Sequence, residues 1–247
     1  FILVILIILI HIVILYQLIF FPYPEFFVYP YLTNQGLNPY SQILDQHFPG
    51  LMFLPVNFDN LGMTDEIVAR IWLVVIVAIT QLLIFCISKQ VLGDSRKAMM
   101  VNLLYLLWQP FFEGWTFWID TFLPLFLLPA FYLTYQIVSK KGEHLKKSFL
   151  LGLFLGMGIV FKQIVIPLTF LVLFYLFWQK KNFKLIFFFL GGLSLPIIIM
   201  LLYLFYIGAI KDFWYWTIIF NLTTFAEFGR KLPFFSGLVR VGFVTAF

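Results

Sequence analysis

The first 21 residues, FILVILIILIHIVILYQLIFF, contain no charged side chain. At about 1.5 Å of rise per helical residue, such a run reaches across the roughly 30 Å hydrocarbon core of a bilayer. A backbone in hydrocarbon must satisfy its own polar groups, so an uncharged run of this length folds as a helix. The pattern recurs, roughly over 66–88, 98–112, 119–138, 148–161, 164–179 and 185–207. Only 11% of the chain is charged and 63% is hydrophobic, whereas soluble domains carry about a quarter charged residues. The expected fold is therefore an all-α polytopic transmembrane protein with about seven helices, forming a single module over residues 1–247. A cleaved signal peptide does not fit the first run, which has no basic flank and no small-residue cleavage site. The chain begins with Phe and ends inside the apolar stretch VGFVTAF, so it is expected to be a piece of a longer protein lacking its start and further spans. Cys86 is the single cysteine, which excludes a disulfide framework.

The polar breaks between runs differ in sign. Lys89, Arg96 and Lys97, then Lys140, Lys141, Lys146 and Lys147, then Lys180, Lys181 and Lys184 account for ten of the sixteen basic residues. They fall on alternate connections, which the positive-inside rule assigns to the cytoplasm. The remaining connections carry nine of the eleven acidic residues, from Glu25 and Asp45 to Asp212 and Glu227. This topology accounts for the net charge of +5 and gives no reason to expect nucleic acid. Residues 22–65 form an elaborate first outward loop, dense in Tyr, Pro, Asn and Gln and expected to carry short or interfacial helices. Residues 208–237, too polar to span and too apolar to float free, suit an interfacial outward segment. Gly152, Gly156 and Gly158 in LGLFLGMG make a small-residue face that lets helices approach closely, and Trp108, Trp115 and Trp118 suit an interfacial aromatic belt.

The order of these features carries a resemblance. One span is followed by an outward loop with an early acidic residue, Glu25, then Gly36-Leu37-Asn38-Pro39-Tyr40 and Asp45-Gln46-His47-Phe48-Pro49-Gly50. Later come the glycine-rich Gly152–Gln163, ending in Lys-Gln, and Gly208–Asn221, GAIKDFWYWTIIFN. The chain resembles the GT-C class of polytopic glycosyltransferases, in the bacterial branch similar to protein mannosyltransferases and the aminoarabinose transferase of lipid A. Family members commonly show Asp-Glu where this chain has Pro24-Glu25. The resemblance implies an inverting enzyme in a bacterial-type inner membrane, its site facing outward. Its partners would be a polyprenyl-phosphate-sugar donor and a lipid, glycan or protein acceptor.

Transfer from a lipid phosphate requires a carboxylate to take the proton of the attacking hydroxyl and cations to stabilise the departing phosphate. It also requires a lipid-open groove for the polyprenyl chain. Glu25 is the first candidate for the base, because it follows the first span closely and is pinned near headgroup level; the alternative is a solvated loop carboxylate. Asp45 is the second, held by the turn that Pro49 and Gly50 force, or else it only binds local backbone N–H groups. His47 would orient a carboxylate or contact phosphate, or serve the loop. Lys162, with Gln163 beside it, interrupts an apolar stretch where charge is expensive, which suits a phosphate ligand as well as a snorkelling side chain. Arg70 invites the same readings, with an ion pair to Glu66 as the alternative. Glu113 and Asp120 flank the outer turn between the third and fourth spans, placed to hold a divalent metal or the acceptor, or simply to cap helices. Tyr40, Tyr29 and Tyr31 offer rings for a sugar or for the interface, and Arg230 and Lys231 offer charge to headgroups. His11, in mid-span, is expected to hydrogen-bond a neighbouring helix.

No phosphate-gripping glycine loop, zinc-ligand spacing or Ser/His/Asp signature appears, which disfavours a nucleotide-sugar donor. A transporter or flippase of lipid-linked substrates is the competing reading. Such proteins place polar groups at the bilayer midplane on broken helices, whereas here the acids gather at the outer ends of the runs. A non-catalytic membrane scaffold is the third.

Overall fold

The computed structural model describes residues 2–112, 114–140, 142 and 144–225. Each apolar run is a helix: α1 (Ile2–Gln17), α4 (Glu66–Leu92), α5 (Ser95–Phe112), α6 (Leu123–Ser139), α7 (Leu145–Phe161), α8 (Val165–Lys180) and α9 (Phe183–Tyr206). Two short helices, α2 (Glu25–Asn34) and α3 (Gly50–Phe53), occupy the first loop, and α10 (Ile210–Trp214) follows α9. The expected all-α fold is observed. Among the described residues, three helical segments, Glu66–Leu92, Ile119–Ser139 and Phe183–Tyr206, are long and apolar enough to cross a membrane, and Ile2–Gln17 and Val165–Lys180 are shorter apolar helices.

Local chemistry sets the ends. The Asp65 carboxylate accepts the Val68 N–H at 3.0 Å and opens α4, and Gly93, at φ 68°, closes it in the left-handed region that glycine enters without strain. The Asn182 side chain accepts the N–H groups of Lys184 and Leu185 and opens α9.

Between spans, two kinds of contact replace the ordinary hydrophobic pattern. Where α7 meets α9 the backbones nearly touch: a Cβ on Gly152 would lie 2.0 Å from the Phe189 carbonyl oxygen, and one on Gly192 would lie 1.9 Å from that of Phe149. A Cβ on Gly156 would lie 2.5 Å from the Leu193 carbonyl oxygen, whereas Gly158 would meet Val165 only at ordinary contact distance. Ser148 adds a 2.8 Å hydrogen bond to the Leu185 carbonyl. Where α1 meets α4 and α5, His11, Gln81 and Asn102 are fully buried. His11 Nε2 lies 2.8 Å from Gln109 Oε1 and its Nδ1 3.0 Å from Gln81 Nε2. Asn102 Nδ2 donates to the Gln81 carbonyl at 2.7 Å and also to its side-chain oxygen. The expected interhelical hydrogen bond of His11 is thus two bonds, to α5 and to α4. They fit the neutral Nε2–H tautomer, donating to Gln109 and accepting from Gln81.

The connections gather in two groups. At one end, Lys180 Nζ reaches the carbonyls of Val138 and Lys140, and the His144 ring meets the Lys140 carbonyl. At the other end the first loop, the α5–α6 turn, the α7–α8 turn and the segment after α9 converge. A two-residue parallel ribbon, β1 (Phe21–Pro22) with β2 (Thr116–Phe117), ties the first two together, with Phe21 opposite Thr116.

Candidate active site in the first loop

Three separate connections, the first loop, the α5–α6 turn and the α7–α8 turn, place side chains around one cleft lined by Tyr23, Glu25, Asp45, His47, Trp118 and Lys162. The β1–β2 ribbon fixes the first wall. Tyr23 N–H donates to the Phe117 carbonyl at 3.1 Å, which brings the Tyr23 and Trp118 rings into a stack 5.5 Å apart. The chain then turns at Pro24 into α2, so Glu25 occupies the first helical position, where backbone N–H groups and the helix dipole favour negative charge. Its Oε2 is buried and has no hydrogen-bond partner.

The second wall is the Asp45-Gln46-His47 turn. Asp45 Oδ1 accepts the His47 backbone N–H at 2.5 Å and lies 2.9 Å from His47 Nδ1. The Asp45 side chain is 6% exposed and that of His47 37%. The carboxylate thus fixes both the turn and the imidazole, and leaves His47 Nε2 as the nitrogen free to accept. Tyr40 supports the turn from beneath. Its side chain is fully buried against Phe53 and Phe213, its hydroxyl donates to the His47 carbonyl at 2.9 Å, and its φ is +66°. Burial, reinforced by the Asp45 charge, holds the Tyr40 hydroxyl well above its ordinary pKa. Tyr29 is raised for the same reasons, burial first and then the charges of Asp45 and Glu25. Both phenols therefore stay neutral donors.

The third wall is ionic. Lys162 follows the last residue of α7 in an extended conformation, and its ammonium lies 2.6 Å from both carboxylate oxygens of Asp120. The same ammonium sits 5.0 Å from the centre of the Trp118 ring. Both partners are about one-fifth exposed.

Glu25, Asp45, His47 and Lys162 thus meet in one place, with Asp120 joined to them through Lys162. Gln163 serves the loop, donating Nε2–H to the Gln46 carbonyl at 2.9 Å and accepting the Phe48 N–H at 3.4 Å. The Gln46 carbonyl also accepts from Asn221 Nδ2 at 2.9 Å, which docks the segment after α10 onto the same turn. Tyr40 presents no surface to a ligand. Arg70 lies outside the cleft lining: it donates to the carbonyls of Tyr16 and Leu18 and packs over the Tyr16 and Phe20 rings, with Glu66 at 4.0 Å. Glu113, Arg230 and Lys231 lie outside the described residues. Among the described residues, no three His, Cys, Asp or Glu side chains form a metal-binding group. Trp118, a cleft wall, drew notice in the sequence only as part of an aromatic belt.

Next to the polar cleft lies a cavity of about 890 Å³ between α7, α8, α9 and α10, walled almost wholly by apolar side chains including Phe48, Leu193, Ile197, Phe213 and Trp214. Phe48 lines this cavity and the preceding residue, His47, lines the cleft.

A family model described as dolichyl-phosphate-mannose-protein mannosyltransferase matches residues 47–204. The matched stretch includes His47, Asp120, Lys162 and Gln163 and begins after Glu25 and Asp45. No curated protein and no solved structure matches the chain.

Proposed function

The chain belongs to the dolichyl-phosphate-mannose-protein mannosyltransferase family, and on that premise we propose that it moves a sugar from a polyprenyl-phosphate carrier to a hydroxyl of a lipid, glycan or protein acceptor. The protein is an integral membrane protein, and by the positive-inside rule its acidic end, with the cleft, faces outward from the plasma membrane. The apolar cavity beside His47 takes the polyprenyl chain, because its walls offer a long isoprenoid almost wholly apolar contact and Phe48 joins it to the cleft. In this reading the phosphate lies at the boundary between the two.

One observation carries the assignment of the base. Asp45 already fixes His47 and its own turn, and Asp120 already holds Lys162, whereas Glu25 Oε2 has no partner. Glu25 accepts the proton of the attacking hydroxyl as the oxygen approaches the anomeric carbon. The bond from that carbon to the phosphate oxygen breaks on the opposite face, so the centre inverts. Lys162, aimed by Asp120 and the Trp118 ring, meets the charge that grows on the departing phosphate. His47, oriented by Asp45, offers its free nitrogen to a donor hydroxyl.

The test uses the full-length protein in membranes with radiolabelled polyprenyl-phosphate mannose. Wild type is expected to consume the donor and Glu25→Gln to lose that turnover while inserting normally. Donor left intact by wild type refutes the reading and turns attention to a flux assay, the transporter alternative. Equal turnover by Glu25→Gln refutes the assignment of the base.

A further inference from the structure

Trp118 Nε1 and Glu25 Oε2 are both buried, both lack a hydrogen-bond partner, and both residues line the cleft. An indole nitrogen only donates, and an ionised carboxylate only accepts. Leaving either group dry and unpaired is costly, so the pair marks a place that a ligand completes.

The group that completes it must accept from one partner and donate to the other. An anion is repelled by Glu25, and an ammonium cannot accept from the indole. A hydroxyl does both. Size permits it, because the cleft's volume of about 40 Å³ leaves room for a hydroxyl beside these residues.

The donor is also held still. Tyr23 stacks on one side of Trp118, and the Lys162 ammonium lies 5.0 Å from its ring centre. The backbone leading into it is fixed by the β1–β2 ribbon. An N–H on a ring packed in this way loses little freedom on binding.

We propose that Trp118 and Glu25 together form a hydroxyl-binding site, in which the indole N–H donates to the oxygen of the same hydroxyl that donates to Glu25. This assignment rests on the glycosyl-transfer reading. Two hydroxyls present that chemistry, the attacking group of the acceptor and a hydroxyl of the donor sugar. When it is the attacking group, its proton passes to Glu25, its oxygen bonds to the anomeric carbon, and the carrier leaves as polyprenyl phosphate.

The experiment measures kcat and KM for radiolabelled polyprenyl-phosphate mannose with the full-length protein in membranes, for wild type, Trp118→Phe and Trp118→His. Phenylalanine keeps a ring against Tyr23 and removes the N–H, and histidine restores a ring donor. Trp118→Phe is expected to lower kcat/KM ten- to hundredfold, and Trp118→His to recover part of the loss, a rescue that a merely structural role would not give. A fall in kcat at constant KM assigns the attacking hydroxyl, and a rise in KM assigns a donor hydroxyl. Trp118→Phe within twofold of an active wild type, or Trp118→His no better than Trp118→Phe, overturns the site alone. A wild type that consumes no donor overturns the glycosyl-transfer reading and this site with it.

Discussion

Lys162 and Asp120, 42 residues apart in the chain, meet with the ammonium 2.6 Å from both oxygens of the carboxylate. The pairing explains how a lysine is tolerated at the very end of an apolar helix. It also means that the cation is aimed before any phosphate arrives. Lys162→Met is expected to lower kcat as well as raise donor KM, for a fall in kcat/KM on the order of 10- to 100-fold, the worth of one charged hydrogen bond. Lys162→Arg should retain part of the affinity. Donor titrations in membranes distinguish the two.

Glu25→Gln should lower kcat by about 10²- to 10⁴-fold, the usual contribution of a positioned base, with donor KM little changed. Asp45→Asn removes no proton acceptor in this scheme. It loosens the His47 ring and the turn, so its loss of kcat should be smaller and accompanied by a higher KM. Steady-state kinetics on the two variants side by side check the division of labour.

The α7–α9 crossing separates two neighbouring glycines. A methyl at Gly192 would lie 1.9 Å from the Phe149 carbonyl oxygen, whereas one at Gly191 would reach only the edge of the Phe149 ring at 4.0 Å. Gly192→Ala is expected to destabilise the protein by about 1–3 kcal/mol or more through forced separation of the helices. Gly191→Ala should be neutral or slightly stabilising. Thermal unfolding in detergent reads the contrast.

His11 is fully buried and bonded on both ring nitrogens. His11→Leu strips partners from Gln81 and Gln109 at once, and each unpaired buried group costs about 1–3 kcal/mol. The variant should unfold at markedly lower temperature and denaturant, while His11→Asn should fall between it and wild type.

Tyr40 links stability to alkaline pH. Its native hydroxyl titrates well above the ordinary tyrosine value because burial and the Asp45 charge disfavour the phenolate. The stability this represents is complete below about pH 10, where the unfolded phenol is also neutral. It is lost as pH rises from there toward the native value, because the unfolded chain alone releases the proton. The wild-type unfolding midpoint should fall above about pH 10 more steeply than that of Tyr40→Phe.

The apolar runs were legible because bilayer length and missing charge leave the backbone few options. Two of the basic connections do meet, since Lys180 reaches the Lys140 carbonyl, while Asp120 meets Lys162 elsewhere. Glu25, Asp45, His47 and Lys162 were each visible as polar residues near turns, but their convergence was not. It depends on the β1–β2 ribbon and on the Gln163–Gln46 clasp, both made by backbone carbonyls that leave no trace in composition. Tyr40 misled for a related reason: a tyrosine in a polar loop reads as exposed, whereas here the loop folds over it. Lipid-facing and interior positions are both apolar in such helices, so Gly192, the close partner of Phe149, had no pattern to mark it.

The clasp on Gln46 has a consequence for biosynthesis. Its carbonyl accepts from Gln163 and from Asn221, and Asn221 lies 175 residues further along the chain. At synthesis rates of about 5–20 residues per second, the Asp45–His47 turn exists for roughly 10 to 35 seconds before its last tie is made. The cleft is therefore assembled late, after insertion of the helices between, and a ribosome that stalls before Asn221 leaves a chain whose spans are in place and whose turn is still only partly fastened.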